Sequence, residues 1–245
     1  MIRGRDKLVE LLVSGLTTLG CSFNYEQISK LLEYLDLILQ ENQKFNLTSI
    51  TEPEEMVRKH FLDSLAALPF IEKLGNGLKA IDIGTGAGLP GIPLKIWRRE
   101  DSITLLDATN KKISFLREVI RLLELEGVHC IHGRAEELAR QEQHREKYDL
   151  VLSRAVAPLN VLVELCIPFL RVGGIFIAYK SRETNREVNE ASKALDILGA
   201  RVNEVREVNI YGVELDRKLV IMEKEHSTHH QYPRKSGIPK KRPIV

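Results

Sequence analysis

Ala80-Ile81-Asp82-Ile83-Gly84-Thr85-Gly86-Ala87-Gly88 joins a short apolar run to three regularly spaced glycines. The run from Leu78 to Ile83 has the length of a buried strand, and a helix-like stretch follows the glycines as far as Arg99. A strand that ends in glycines before a helix puts its turn at the carboxyl edge of a sheet, where doubly wound folds bind ligands. Glycine there lets the backbone approach a bound molecule closely and take positive φ. Gly84, Gly86 and Gly88 are therefore candidate binding positions.

The alternation continues downstream. Ser102 to Leu106 reads as a second strand, and Asn110 to Leu125 as a helix with Ile113, Leu116, Val119, Ile120 and Leu123 on one face. Further strands are expected at Val128 to Ile131, Tyr148 to Leu152 and Ile175 to Tyr179, with helices at Leu159 to Leu170 and Glu187 to Leu198. Two late strands, near Val202 to Val208 and Lys218 to Met222, have no long helix between them and should pair antiparallel. This order predicts an α/β, doubly wound, mostly parallel sheet covered on both faces.

Upstream, residues 5 to 45 read as helices. Leu8, Leu11, Leu12, Leu16 and Leu19 recur at helical spacing, as do Ile28, Leu31, Leu35 and Ile38. Asn24 and Gln27 fit a capping box, and Pro53 suits the first turn of a third helical stretch reaching Leu68. Gly75-Asn76-Gly77 breaks the chain before the sheet. The expected organisation is a helical N-terminal region over 1–74, an α/β core over 75–225 and a flexible tail over 226–245, where apolar content is low.

The 245 residues are 43% hydrophobic and 29% charged, the balance of an ordinary soluble protein. Cys21, Cys130 and Cys166 are widely spaced without a C-x-x-C pair. This argues against a disulfide framework or four-thiolate zinc site, and for a reducing, cytoplasmic setting. Asp6, Lys7 and Glu10 interrupt the apolar N-terminus, against a targeting segment, and no stretch has the length and apolarity to span a bilayer. The net charge of +2 is uneven: Arg234, Lys235, Lys240, Lys241 and Arg242 give the tail +5, leaving −3 elsewhere. A basic, proline-containing tail on such a body hints at nucleic acid as a partner. His226, His229 and His230 lack a carboxylate or thiolate companion in the tail, so no metal is expected.

The ligand class turns on two carboxylates. A dinucleotide fingerprint needs G-x-G-x-x-G, and counting from Gly84 the third glycine falls on Leu89. Asp82, two residues before the first glycine, is a poor neighbour for a pyrophosphate. S-adenosylmethionine has no phosphate and carries an ammonium and a sulfonium, which a carboxylate attracts. The plainer alternative is that Asp82 caps the glycine turn. Asp107 ends the second strand, where a carboxylate commonly accepts ribose hydroxyls; its alternative is a helix-start residue. Gly133-Arg134-Ala135-Glu136 follows the third strand and fits an adenine-framing loop, or Glu136 is an ordinary first-turn acid. Arg154 follows the fourth strand at the same edge, so it either overlooks the reaction site or is a solvated loop cation. Two other classes compete: a dinucleotide-dependent dehydrogenase, disfavoured by the misplaced glycine and Asp82, and a non-catalytic RNA binder, disfavoured by the intact loop.

Nearly the whole chain resembles the bacterial small-subunit ribosomal RNA guanine-N7 methyltransferases, also called glucose-inhibited division protein B. The resemblance runs through Phe45-Asn46-Leu47-Thr48-Ser49-Ile50, His60-Phe61-Leu62-Asp63-Ser64 and Asp82 to Leu94. It continues through Gly133-Arg134-Ala135-Glu136-Glu137, Ser153-Arg154-Ala155 and Tyr232 to Pro239. It implies a seven-stranded, Rossmann-like, S-adenosylmethionine-dependent methyltransferase core behind a helical N-terminal region. It implies methyl transfer to N7 of a guanine near the decoding site. The expected partner is small-subunit ribosomal RNA or the small subunit itself, with no membrane and a monomeric chain. By position, Gly84, Leu89, Ala135, Glu136 and Arg154 would line the cofactor pocket; Leu89 stands where some members have Phe.

Guanine N7 is unprotonated at neutral pH, so the chemistry asks for positioning and not for a general base. Asn46, His60, Asp63 and Arg154 are the candidate substrate contacts. For the first three, the alternative is locally satisfied caps and packing groups.

Overall fold

Seven strands form one sheet in the order β3-β2-β1-β4-β5-β7-β6. They are β1 (Lys79–Ile83), β2 (Ser102–Asp107), β3 (Val128–His132), β4 (Tyr148–Arg154), β5 (Leu170–Lys180), β6 (Ala200–Val208) and β7 (Arg217–Lys224). The computed structural model describes residues 4–181, 183–213 and 216–244. β1 through β5 are parallel, and β7 runs antiparallel between β5 and β6. The antiparallel pairing of the two late strands follows from their short connection, which leaves no room for a crossover helix.

Period-two alternation divides the core between the sheet's faces. Ala80, Leu105, Leu150, Leu152 and Ile177 meet the helices Arg5–Leu19, Tyr25–Asn42 and Asn110–Leu122 on one side. Ile81, Ile83, Leu106, Val151, Phe176 and Ala178 meet Leu159–Cys166 and Thr184–Leu198 on the other. The N-terminal helices thus share one continuous core with the sheet. The capping box forms as expected, Gln27 N donating to Asn24 Oδ1 at 2.9 Å and Asn24 N to Gln27 Oε1 at 2.8 Å.

Some boundaries differ from the sequence reading. The third helical stretch divides into Pro53–Met56, a wide π turn Val57–Leu62 and Asp63–Leu65. The helix expected to reach Leu170 ends at Cys166, and Pro168, without an N–H to continue it, lies in the turn Ile167–Phe169. β5 then begins at Leu170, paired with Tyr148 of β4.

The flexible tail is a larger correction. Thr228, Pro233, Pro239 and Ile244 are buried. Arg145 donates to the carbonyls of Thr228 (2.6 Å) and Tyr232 (2.8 Å), and Arg140 to that of Pro233 (2.6 Å). Arg234 clasps Glu164, which is fully buried on the helix Leu159–Cys166. Low apolar content does not reveal this order, because arginines elsewhere in the chain hold the segment through its backbone carbonyls.

Candidate active site

The glycine loop is stitched to its neighbours from behind. Gly84 N and Thr85 N donate to Leu106 O at 2.8 and 3.0 Å. Asp82 is fully buried, and its Oδ2 accepts from Thr85 Oγ1 at 2.6 Å and Gly91 N at 2.9 Å. Its Oδ1 is buried without a partner among the described residues. Burial pushes the carboxyl up to about 6, against the opposing pull of those two hydrogen bonds and Arg154.

Period two sets Asp82 on the face of the N-terminal helices, and Gly88 and Leu89 turn the same way. A Cβ added at Gly88 would come within 2.7 Å of Tyr34 Oη, Ile92 and Leu116, and Gly88 has φ +94. Tyr34 donates to Ala87 O, and Leu89 is buried in the same cluster. Asp82, Gly88 and Leu89 therefore also brace the loop from the side of that cluster.

A cavity of about 240 Å³ opens at the carboxyl edge of the sheet. Ile83 of β1 with Gly84 just past it, and Leu106 and Asp107 of β2 with Ala108 just past them, form one part. Gly133, Arg134, Ala135 and Glu136 line it beyond β3. Val156 and Ala157 lie beyond β4, with Val161 and Leu165 on the next helix. Gly237, Pro239 and Lys240 complete it from the tail. The sequence-predicted Gly84, Asp107, Ala135 and Glu136 are thus brought together. Gly86 contributes through Asp107, its N–H donating to Oδ2 at 3.0 Å while Thr109 N donates to Oδ1 at 2.8 Å. Glu136 accepts from Gly237 N at 2.9 Å.

Sequence reasoning missed the tail residues, Val156, Val161 and Leu165. The signal for the tail was present in Tyr232, Ile238, Ile244 and three prolines, which a purely solvated segment does not need. For Val161 and Leu165 the sequence shows only a helix, because periodicity places a residue on a face without saying what covers that face.

Arg154, at the end of β4, turns to the wide helical turn. Its Nη1 donates to Asp63 Oδ2 at 2.9 Å and Lys59 O at 3.2 Å, and its Nη2 lies 3.4 Å from His60 Nδ1. Asp63 also faces Arg217 at 3.5 Å. His60 Nε2 is 2.7 Å from Thr48 Oγ1. Burial, then the Arg154 guanidinium, pushes the imidazole down to about 4, so it is neutral near pH 7. The structure thus joins His60, Asp63 and Arg154 into one network at the wide helical turn. Asn46 is exposed and makes no side-chain hydrogen bond to this network.

The cavity's chemistry suits an uncharged nucleoside. Ile83, Leu106, Val161 and Leu165 offer apolar walls, Asp107 offers acceptors to hydroxyls, and the glycine loop lacks the third glycine of a pyrophosphate cradle. At Gly84, where φ is +71, a Cβ would come within 2.5 Å of a Val156 methyl, so a side chain at this turn is strained. No group of three or more His, Cys, Asp or Glu side chains fit to hold a metal occurs among the described residues, and none of their helices is long and apolar enough to cross a membrane.

Comparison with known proteins agrees with this geometry. The family model described as rRNA small subunit methyltransferase G matches residues 27–220. The Ribosomal RNA small subunit methyltransferase G of Alkaliphilus metalliredigens is 45% identical over 236 residues, covering 96% of this chain and 98% of that protein. Its namesake from Acetivibrio thermocellus is 44% identical over 239 residues, 98% of each chain. Among solved structures, TrmN from Thermus thermophilus matches with TM-score 0.51 and 16% identity, over 69% of this chain and 53% of that one. A precorrin-6y C5,15-methyltransferase from Geobacter metallireducens matches with TM-score 0.50 and 18% identity, over 78% and 98%. Those two likenesses concern the fold alone. The sheet order with its antiparallel β7, the glycine loop and the near full-length identity converge: the chain is a methyltransferase and belongs to the rRNA small subunit methyltransferase G family.

Proposed function

We propose that this enzyme transfers a methyl group from S-adenosylmethionine to N7 of a guanine in small-subunit ribosomal RNA near the decoding site, as a cytoplasmic monomer. The observation that carries the reading is the carboxyl-edge cavity, with Asp107 and Glu136 on its walls, in a chain of this family. When bound, S-adenosylmethionine supplies a methyl activated by its sulfonium. Asp107, its carboxylate aimed by the amides of Gly86 and Thr109, would accept the ribose hydroxyls. Ala135 and Glu136 would border the purine, and Ile83, Leu106, Val161 and Leu165 would exclude water from it.

Guanine N7 offers a free lone pair at neutral pH, so the protein has no proton to remove before transfer. Its task is to hold the base and donor in line, which alone is worth ~7–11 kcal/mol in well-oriented systems. The neutral His60 beside Arg154 fits positioning and not proton transfer. Incubation with labelled S-adenosylmethionine and small ribosomal subunits, followed by mapping of the modified nucleotide, tests the proposal. Label on a single guanine at N7 is expected; label at another atom or on protein alone overturns it.

A further inference from the structure

We propose that the C-terminal segment Gly237–Lys240 is a working wall of the cofactor site, so that docking of the tail and binding of the cofactor are one coupled equilibrium. The proposal rests on the reading of the cavity as the S-adenosylmethionine site. Gly237, Pro239 and Lys240 line the same cavity as Asp107 and Ala135, from a point more than ninety residues further along the chain. Gly237 N donates to Glu136 Oε1 at 2.9 Å, and Glu136 itself lines the cavity. One carboxylate thus faces both the tail and the cavity. Pro239 is buried and adds an apolar surface to the same cavity.

The tail is placed by anchors outside the cavity. Arg234 N and Nε donate to Glu164 Oε1 at 2.7 and 2.9 Å. Glu164 is fully buried on the helix that also supplies Val161 and Leu165 to the cavity. Arg145 and Arg140 hold the carbonyls of Tyr232 and Pro233. These clasps deliver the next turn, Ile238–Lys241, to the rim of the site. A molecule that touches the docked tail binds that state better than the undocked one, and by reciprocity must hold the tail down. Sequence order hides this relation, because the tail carries none of the core's alternation.

Two measurements test it without recourse to turnover. Calorimetry with S-adenosylhomocysteine compares the full chain with a chain ending at Ser236, which keeps the Arg234–Glu164 clasp; circular dichroism checks its fold. At least a tenfold loss of affinity is expected in the folded, shortened chain, and unchanged affinity overturns the proposal. Amide hydrogen exchange on the full chain covers the case in which the shortened chain unfolds. Saturating S-adenosylhomocysteine should slow exchange at Gly237 at least tenfold, and no slowing there overturns the proposal. A full chain that fails to bind S-adenosylhomocysteine overturns the cofactor reading itself, a result distinct from binding that ignores the tail.

Discussion

Asp63, just past the wide helical turn, and Arg154, at the end of β4, are joined at 2.9 Å with both side chains largely buried. The pair fastens the N-terminal helical region to the edge of the sheet beside the glycine loop. Removing the carboxylate takes this counter-charge from both Arg154 and Arg217. Asp63→Ala should destabilise the fold by ~3 kcal/mol, within the range for a broken buried pair. Arg154→Ala should cost less, because Arg217 still faces Asp63. Urea denaturation of the two variants checks the order; equal midpoints for Asp63→Ala and wild type would show the pair to be inconsequential.

The loop glycines should separate sharply by what lies behind them. Gly88→Ala drives a Cβ to within 2.7 Å of Ile92, Leu116 and Tyr34, on top of the cost of positive φ. Gly86→Ala meets nothing closer than 3.9 Å. The second change should cost only the left-handed backbone penalty, ~1–2 kcal/mol, and the first several kcal/mol more through overpacking. Thermal melts of both variants decide; a Gly88→Ala protein as stable as Gly86→Ala contradicts the packing described.

Stability against pH carries two opposed contributions. The folded chain raises Asp82 from 3.8 to about 6, so its contribution is full below pH 4 and is lost as pH rises through 6. It lowers His60 from 6.5 to about 4, so that contribution is full above pH 6.5 and is lost as pH falls toward 4. Each shift corresponds to a few kcal/mol, on the order of 3, and in wild type they largely offset one another. Relative to wild type, Asp82→Asn should gain stability as pH rises from 4 to 6, and His60→Gln should lose it. Urea midpoints measured across that range test both slopes, and parallel curves for all three proteins refute them.

The chemical step should be insensitive to pH between about 6 and 8, since guanine N7 is unprotonated there and His60 is already neutral. Single-turnover methylation at saturating RNA and cofactor measures it. His60→Ala should stay within roughly tenfold of wild type, below the usual contribution of a general base. A steep acid limb in wild type that disappears with His60 points to base-assisted transfer and so to a different target atom.

The sheet, its alternation with helices and the antiparallel end were legible from the sequence, because strand and helix periods and the positive φ of glycines are local properties. The same locality identified Asp107 and Gly84 at the carboxyl edge of their strands. Which way each side chain of the loop faces was not local. Asp82 shares its stretch with Gly84 yet is held by Thr85 and Gly91, and Leu89 packs in the core cluster that includes Tyr34 and Ile92. Arg154 occupies the expected strand end but is drawn to Asp63, a partner 91 positions earlier. The tail reads as solvated by composition and is ordered by Arg140, Arg145 and Glu164. Residue type and spacing determined where backbone could bend and strands could lie. Only the folded chain, by supplying charged and packing partners from distant segments, decided which of those residues face the cavity and which hold it in place.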